Sequence, residues 1–297
     1  MKELQIQDIL HYIEKHHIDY RFEGNSNVQL NGFSSLNNYK YNTFTWAKNK
    51  KALEVDMAKM DLVIAQEGLK IDAKNVIYSS KSKQIFFGCM EYFFGEKDED
   101  GTKIGAGTII GENVKIGENV KIGCNCVLKG NIVIGNNTII GHNVTLINRI
   151  QIGDDCEIQS GTVIGHDGFS WNENEKGEKT LVKHFGGVKI GNKVHIGPKC
   201  TIDRGTIDDT WIEDGCKIDA DCFIAHNVHI GKNVILIAKT LLMGSSRIKE
   251  NAYISSAIVR NQKEVGKNAI VGMGAVVVND IRANSTVLGV PAKEIKC

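Results

Sequence analysis

From Ile104 onward an aliphatic residue returns every six positions: Ile104, Ile110, Ile116, Ile122, Leu128, Ile134, Ile140, Leu146, Ile152, Ile158 and Ile164. Gly follows most of them, as in Ile110-Gly111, Ile116-Gly117 and Ile134-Gly135. A period of six fits neither an amphipathic helix nor a simple alternating strand. It is the hexapeptide signature of a β-helix. Three hexads close one triangular coil, and coils stack at the inter-strand spacing of about 4.8 Å. The aliphatic residue fills the interior, while Gly and Asn permit the tight corners.

The run stops after Phe169 and resumes at Ile190, Ile196 and Ile202. Four extra residues precede Ile212, and Ile218, Ile224, Ile230, Leu236, Leu242, Ile248 and Ile254 then keep step. One shortened hexad near Arg260 leads to Val265, Val271 and Val277. The chain is therefore expected to be mainly β, a left-handed parallel β-helix over 102–297. An insertion at about 170–187 should leave it as a loop or short hairpin, the kind of excursion that shapes a site. Residues 1–101 read as a small α+β domain. Leu4 to His17 and Lys81 to Phe94 have the spacing of helices, and Asn27–Leu30 and Leu62–Ala65 read as strands. The polar run from Glu96 to Gly101 reads as the linker.

The same register accounts for most of the cysteines. Counting the aliphatic residue as position one, Cys126, Cys156, Cys200, Cys216 and Cys222 all occupy position five, which Thr108, Val114, Val120 and Thr206 share. That is a small inward slot, and Cys fills it as a small hydrophobe. Cys124 and Cys126 have no second pair to complete a zinc site, and no three histidines converge in the register. No metal is expected, which counts against a β-helical carbonic anhydrase. Lys plus Arg number 36 against 35 Asp plus Glu, with no polybasic run, so nucleic acid is not an expected partner. Without a signal-like apolar segment or a membrane-length run, a cytoplasmic setting is expected.

His226, Gly244 and Gln262 are spaced by 18 residues, so the register sets them on one vertical line. A base, then a glycine, then an amide describes a groove for an extended thioester donor. The imidazole can take a proton from an attacking amine. A backbone N–H at a side-chain-free glycine can approach a developing oxyanion.

From Gly186-Gly187-Val188 through Thr201-Ile202-Asp203-Arg204-Gly205 to Ile224-Ala225-His226-Asn227-Val228, the sequence resembles the UDP-3-O-acylglucosamine N-acyltransferases of lipid A assembly. Gly165-His166-Asp167-Gly168-Phe169 resembles the phrase ahead of that family's insertion, which makes Asp167 and Phe169 candidate acceptor-binding residues. The region around Phe44-Thr45-Trp46-Ala47 resembles its uridine-binding domain, with Phe44 or Trp46 as the base-stacking ring. The resemblance implies His226 as general base and a donor lying between neighbouring subunits of a homotrimer. It also implies Asp219 as the accompanying acid, acting across the interface, because seven residues of strand separate it from His226 within one chain.

Three features depart from the family. Ala220 follows Asp219 where the family has Asn, and Gln262 stands where a second His helps to bind the donor. The ending Gly289-Val290-Pro291-Ala292-Lys293 looks like that of CoA-dependent nucleotide-sugar N-acetyltransferases, with no long final helices to engage acyl carrier protein. The leading expectation is thus an N-acyltransferase that carries an acyl group from acyl-CoA to a dTDP- or UDP-linked amino sugar for cell-surface polysaccharide such as O-antigen. The alternatives are the lipid A pathway enzyme itself, using acyl carrier protein, and a catalytically silent β-helical scaffold.

Overall fold

The computed structural model describes residues 4–95 and 101–295, so most of the polar linker lies outside the described residues. The chain divides into two compact units, Met1–Glu99 and Asp100–Cys297. In the first, a five-stranded sheet carries helices α1 (Ile6–Lys15) and α2 (Ser82–Phe94). α1 begins where Gln5 N–H donates to Asp8 Oδ2 at 2.7 Å, and it buries Ile6, Ile9, Leu10 and Ile13. That stripe packs with Leu62, Ile64, Ile77 and Ile85 in one core. The phrase read as a strand at 27–30 forms only the short pair Gln29–Leu30 against Leu4–Gln5. No helix among the described residues is long and apolar enough to cross a membrane.

The second unit is the left-handed parallel β-helix that the repeat predicts. Its strands pair in parallel one coil apart, as in Val127↔Thr145 and Leu128↔Leu146. The aliphatic column is almost dry: Leu128, Ile164, Ile202, Ile224 and Leu242 are all fully buried. Burying each such side chain contributes about 1.5–3 kcal/mol. The five position-five cysteines are buried within the same core. Thr206 does not share their slot. It opens the four extra residues, and Thr210, fully buried, takes the place instead.

The corners divide labour between two residues. At position four the backbone is left-handed, and Asn119, Asn137, Asn143, Asn227 and Asn233 supply it. Asn tolerates that conformation because its short amide bonds locally. Where position two is Gly, the next coil lies close against it: a Cβ on Gly123 would lie 2.6 Å from the Gly141 carbonyl carbon.

Two departures from strict repetition position the site. The insertion leaves as an antiparallel hairpin, Trp171–Glu173 with Lys179–Leu181, and Val163 pairs with Thr201 across it. The shortened hexad corrects the expected donor column. Leu242 pairs with Val259, only 17 residues on, so Asn261 stands over Gly244. Gln262 falls instead over Ser245, both with left-handed backbones. Its backbone N–H, not its side-chain amide, meets Gly244, donating to the carbonyl at 3.0 Å.

Candidate active site

His226 projects from the corner after strand Phe223–Ile224, sandwiched between two glycines. A Cβ on Gly168 would lie 2.7 Å from the imidazole Cδ2, and one on Gly244 would lie 2.7 Å from Nε2. Neither position has room for a side chain. At Gly244 the missing side chain has a second effect. At several other corners the position-three N–H is capped by a side chain one coil on: Glu118 N–H donates to Asn136 Oδ1 at 2.8 Å, Asn136 to Asp154 Oδ1 at 2.7 Å, and His142 to Ser160 Oγ at 3.0 Å. Glycine cannot cap, and His226 N–H has no partner among the described residues; nor does Gly244 N–H. The His226 imidazole thus packs against Gly244 at a corner where two backbone N–H groups have no partner among the described residues.

The insertion returns to this corner through His184. Its ring is fully buried and meets the His226 ring edge-to-face, with centroids 5.2 Å apart. His184 Nδ1 lies 3.0 Å from the Val182 carbonyl, while Nε2 is buried without a hydrogen-bond partner. Asp167 anchors the same return. It accepts from His184 N–H at 3.3 Å and from Arg204 Nε at 2.7 Å. Burial pushes its carboxyl up, but the Arg204 hydrogen bond, the His184 N–H and the Arg204 charge outweigh that and hold it below the usual range. Asp203 is the reverse case. Burial, with the Asp167 carboxylate adding to it, pushes Asp203 up to about 7.

Around this corner the surface is unusually apolar. Phe169 (74% exposed), Leu181 (71%), Phe185 (77%) and Ile207 (79%) stand in the open, and Trp171 lies beside Phe169 with ring centroids 5.6 Å apart. Three of them adjoin residues that touch the site: Phe169 follows Gly168, Phe185 follows His184, and Ile207 follows Thr206, which bonds Asn227.

The corner brings together His226, Gly244, Asp167 and the segment of Phe169. It does not include Asp219, whose oxygens accept from the backbone N–H groups of Ala220 at 2.7 Å and Ala238 at 3.2 Å. In the first unit, Phe44 is a correction. Its side chain is fully buried, edge-on to Phe86 in the core, and offers no face for a base to stack on. Trp46, two residues along the same strand, sits at the margin. Its indole donates to Ser82 Oγ at 3.1 Å and lines a pocket of about 280 Å3 with Asn37, Lys48, Asn49 and Lys51. A larger pocket, about 550 Å3, lies around Lys189, Trp211 and Asp214 and is lined by none of the corner residues.

Sequence reasoning passed over Gly168, His184, Asp203 and Asn227 as site residues. Gly168 and Asp203 lie inside quoted motifs, His184 has no register to place it, and Asn227 looks like an ordinary corner residue.

Residues 99–130 and 131–166 match the family model for the bacterial transferase hexapeptide (six repeats), and 206–295 match that for the GMPPB C-terminal domain. UDP-3-O-acylglucosamine N-acyltransferase from Rickettsia conorii is 50% identical over 102 residues, covering 34% of this chain and 29% of the relative. The Rickettsia bellii protein of the same name is 51% identical over 100 residues, with the same coverage. The match therefore spans less than a third of those relatives. Among solved structures, the Francisella novicida UDP-N-acetylglucosamine acyltransferase superposes with a TM-score of 0.59 at 28% identity, over 66% of this chain and 70% of its own. A UDP-N-acetylglucosamine acyltransferase from Bacteroides fragilis gives 0.57 at 25%, over 63% and 72%. The chain is a hexapeptide-repeat β-helix protein that resembles the UDP-3-O-acylglucosamine N-acyltransferases.

Proposed function

We propose that the chain is an N-acyltransferase that moves an acyl group from a thioester on acyl carrier protein to the amine of a UDP-linked glucosamine-type sugar. The observation that carries this reading is His226 Nε2 packed against Gly244, a side-chain-free residue with an uncapped N–H, so that a base and a backbone donor share one column. The amine attacks the thioester carbonyl, and His226 Nε2 takes the proton it sheds. The Gly244 N–H meets the oxyanion, and the carrier thiolate leaves as the tetrahedral intermediate collapses, taking up the proton from the His226 imidazolium.

The names of the relatives favour this acceptor over the dTDP-linked sugar of O-antigen assembly. Phe169, Trp171, Leu181, Phe185 and Ile207 favour a long apolar acyl chain over acetyl, and with it the carrier protein over acetyl-CoA. Donor competition tests this: UDP- and dTDP-amino sugars are offered acetyl-CoA, longer acyl-CoAs or acyl carrier protein, and free thiol is followed. The expected pair is a UDP-amino sugar with a long acyl chain on carrier protein. Release with acetyl-CoA and a dTDP sugar alone would return the reading to polysaccharide N-acetylation.

A homotrimer is part of the proposal. In one outward column of the coils, Val127, Val163, Phe223, Leu241, Ile258 and Val276 are joined only by Thr145 and Thr201, whereas the next face mixes Val133 and Trp211 with Lys189, His229, Arg247 and Glu264. A second and third copy would cover the apolar column and bring Asp219 of a neighbour within reach of the donor groove. Light scattering should give a trimer, and Phe223→Glu with Leu241→Glu should yield inactive monomers. An active wild-type monomer would overturn both the interface and the role of Asp219.

In the first unit, Trp46 is assigned to the base and Lys48 and Lys51 to the diphosphate. Stacking contributes about 1–3 kcal/mol per base, so Trp46→Ala should raise KM for the sugar nucleotide by about 5- to 150-fold with kcat nearly unchanged. An unaltered KM in folded protein removes the assignment.

A further inference from the structure

Asn227 has an amide that can be oriented in only one way. Its Oδ1 lies 3.0 Å from Thr206 N–H and 2.9 Å from Thr206 Oγ1, both donors. Its Nδ2 lies 3.1 Å from the Asp208 carbonyl, which only accepts. Both sets of contacts require the oxygen toward Thr206 and the nitrogen toward Asp208. The oxygen is also the atom that faces His226, 3.0 Å from Nδ1. An amide oxygen cannot donate, so a hydrogen bond here requires the proton on Nδ1. The neutral ring then has its lone pair on Nε2, the nitrogen under Gly244.

The anchors of Asn227 come from Thr206 and Asp208, within the four residues that interrupt the hexad register between Ile202 and Ile212. A regular hexad has no residues there. Asn227 N–H is held separately, donating to Thr210 Oγ1 at 2.9 Å just beyond the same excursion.

We propose that Asn227 is a positioning residue that fixes the reactive tautomer of His226, and that the 206–209 excursion exists to orient its amide. This rests on His226 being the base. A ring with its proton on Nε2 presents no lone pair to the amine, so freeing the tautomer lowers turnover without touching either substrate. Asn227 has a left-handed backbone, φ 59°, so Asn227→Gly removes the amide without strain. Its kcat should fall about 10- to 100-fold, with KM for both substrates nearly unchanged. Asn227→Asp should keep the Thr206 donors and set a carboxylate on Nδ1–H. A nearby opposite charge favours the imidazolium, so the low-pH limb of its rate profile should move upward by about one pH unit. Thr206→Val, which keeps the backbone donor, should show a smaller fall in kcat.

The experiment compares kcat, KM and pH profile for these three variants and His226→Ala, each shown to have wild-type oligomeric state and melting temperature. The expected pattern is a kcat-only loss in Asn227→Gly and a displaced limb in Asn227→Asp. Wild-type kcat in Asn227→Gly, or an unmoved limb in Asn227→Asp, with His226→Ala inactive, overturns the tautomer assignment and leaves the base assignment standing. Full activity in His226→Ala overturns the base assignment and this inference together. If Asn227→Gly does not fold, the limb in Asn227→Asp and the kcat of Thr206→Val decide alone.

Discussion

Replacing His226 by alanine is expected to lower kcat by about 10² to 10⁴, the usual range for a lost general base, while KM for the donor stays near its wild-type value. In the proposed reaction the amine loses a proton as it attacks, and none of the residues packed around His226 is placed to take it instead. Gly168 and Gly244, which enclose the imidazole, have no side chains, and Asn227 is an amide. His184 is fully enclosed, with its Nδ1 turned to the Val182 carbonyl. Asp167 holds Arg204 and the His184 N–H. Steady-state kinetics on a variant shown to keep the wild-type oligomeric state checks the expectation. Full activity would mean that solvent or substrate takes the proton, leaving the coils to supply orientation alone.

Asp203→Asn should stabilise the protein at alkaline pH and not at acid pH. Burial and the Asp167 carboxylate raise the folded-state value of Asp203 from 3.8 to about 7. Between those values the folded state keeps a proton that the unfolded state has lost. The stability associated with the protonated carboxyl is therefore fully present below about 4 and is lost as pH rises through about 7. At roughly 1.4 kcal/mol per unit, the ionised carboxylate costs up to about 4 kcal/mol above that range. The amide, isosteric and neutral, does not incur it. Denaturant unfolding at fixed protein concentration should show the variant gaining on wild type by about 2–4 kcal/mol at pH 8.5 and by little at pH 4.5. A pH-independent difference would mean that Asp203 is already ionised throughout.

The architecture was legible in the sequence because hexad after hexad repeats one physical arrangement, an aliphatic residue inward with a left-handed corner, often marked by a close-approach glycine and an Asn. The cysteines could be placed for the same reason. The site was legible only where it lay in unbroken register. His226 and Gly244 are separated by one regular coil, and the structure sets them against each other. Gln262 lay beyond the shortened hexad, where one lost residue shifts every later position, and Asn261 takes its expected place. His184 and the Thr206 contacts of Asn227 arise where the chain leaves the repeat, so periodicity carries no information about them. Phe44 and Trp46 lie on the same side of one strand, and only the surrounding Phe33, Phe86 and Phe94 decide that the first is sealed in the core. Those contacts are long-range in sequence.

The central claim is that the acyl group ends on a nitrogen, and the product itself tests it. Purified protein is incubated with a long-chain acyl carrier protein and a UDP-linked glucosamine bearing a free amine, and the product is weighed by mass spectrometry before and after mild alkali. The predicted result is a product heavier by one acyl group whose new linkage survives alkali as an amide, with none formed when the amine is already acetylated. An alkali-labile ester, or equal transfer to the N-acetylated sugar, would contradict it and make the chain an O-acyltransferase.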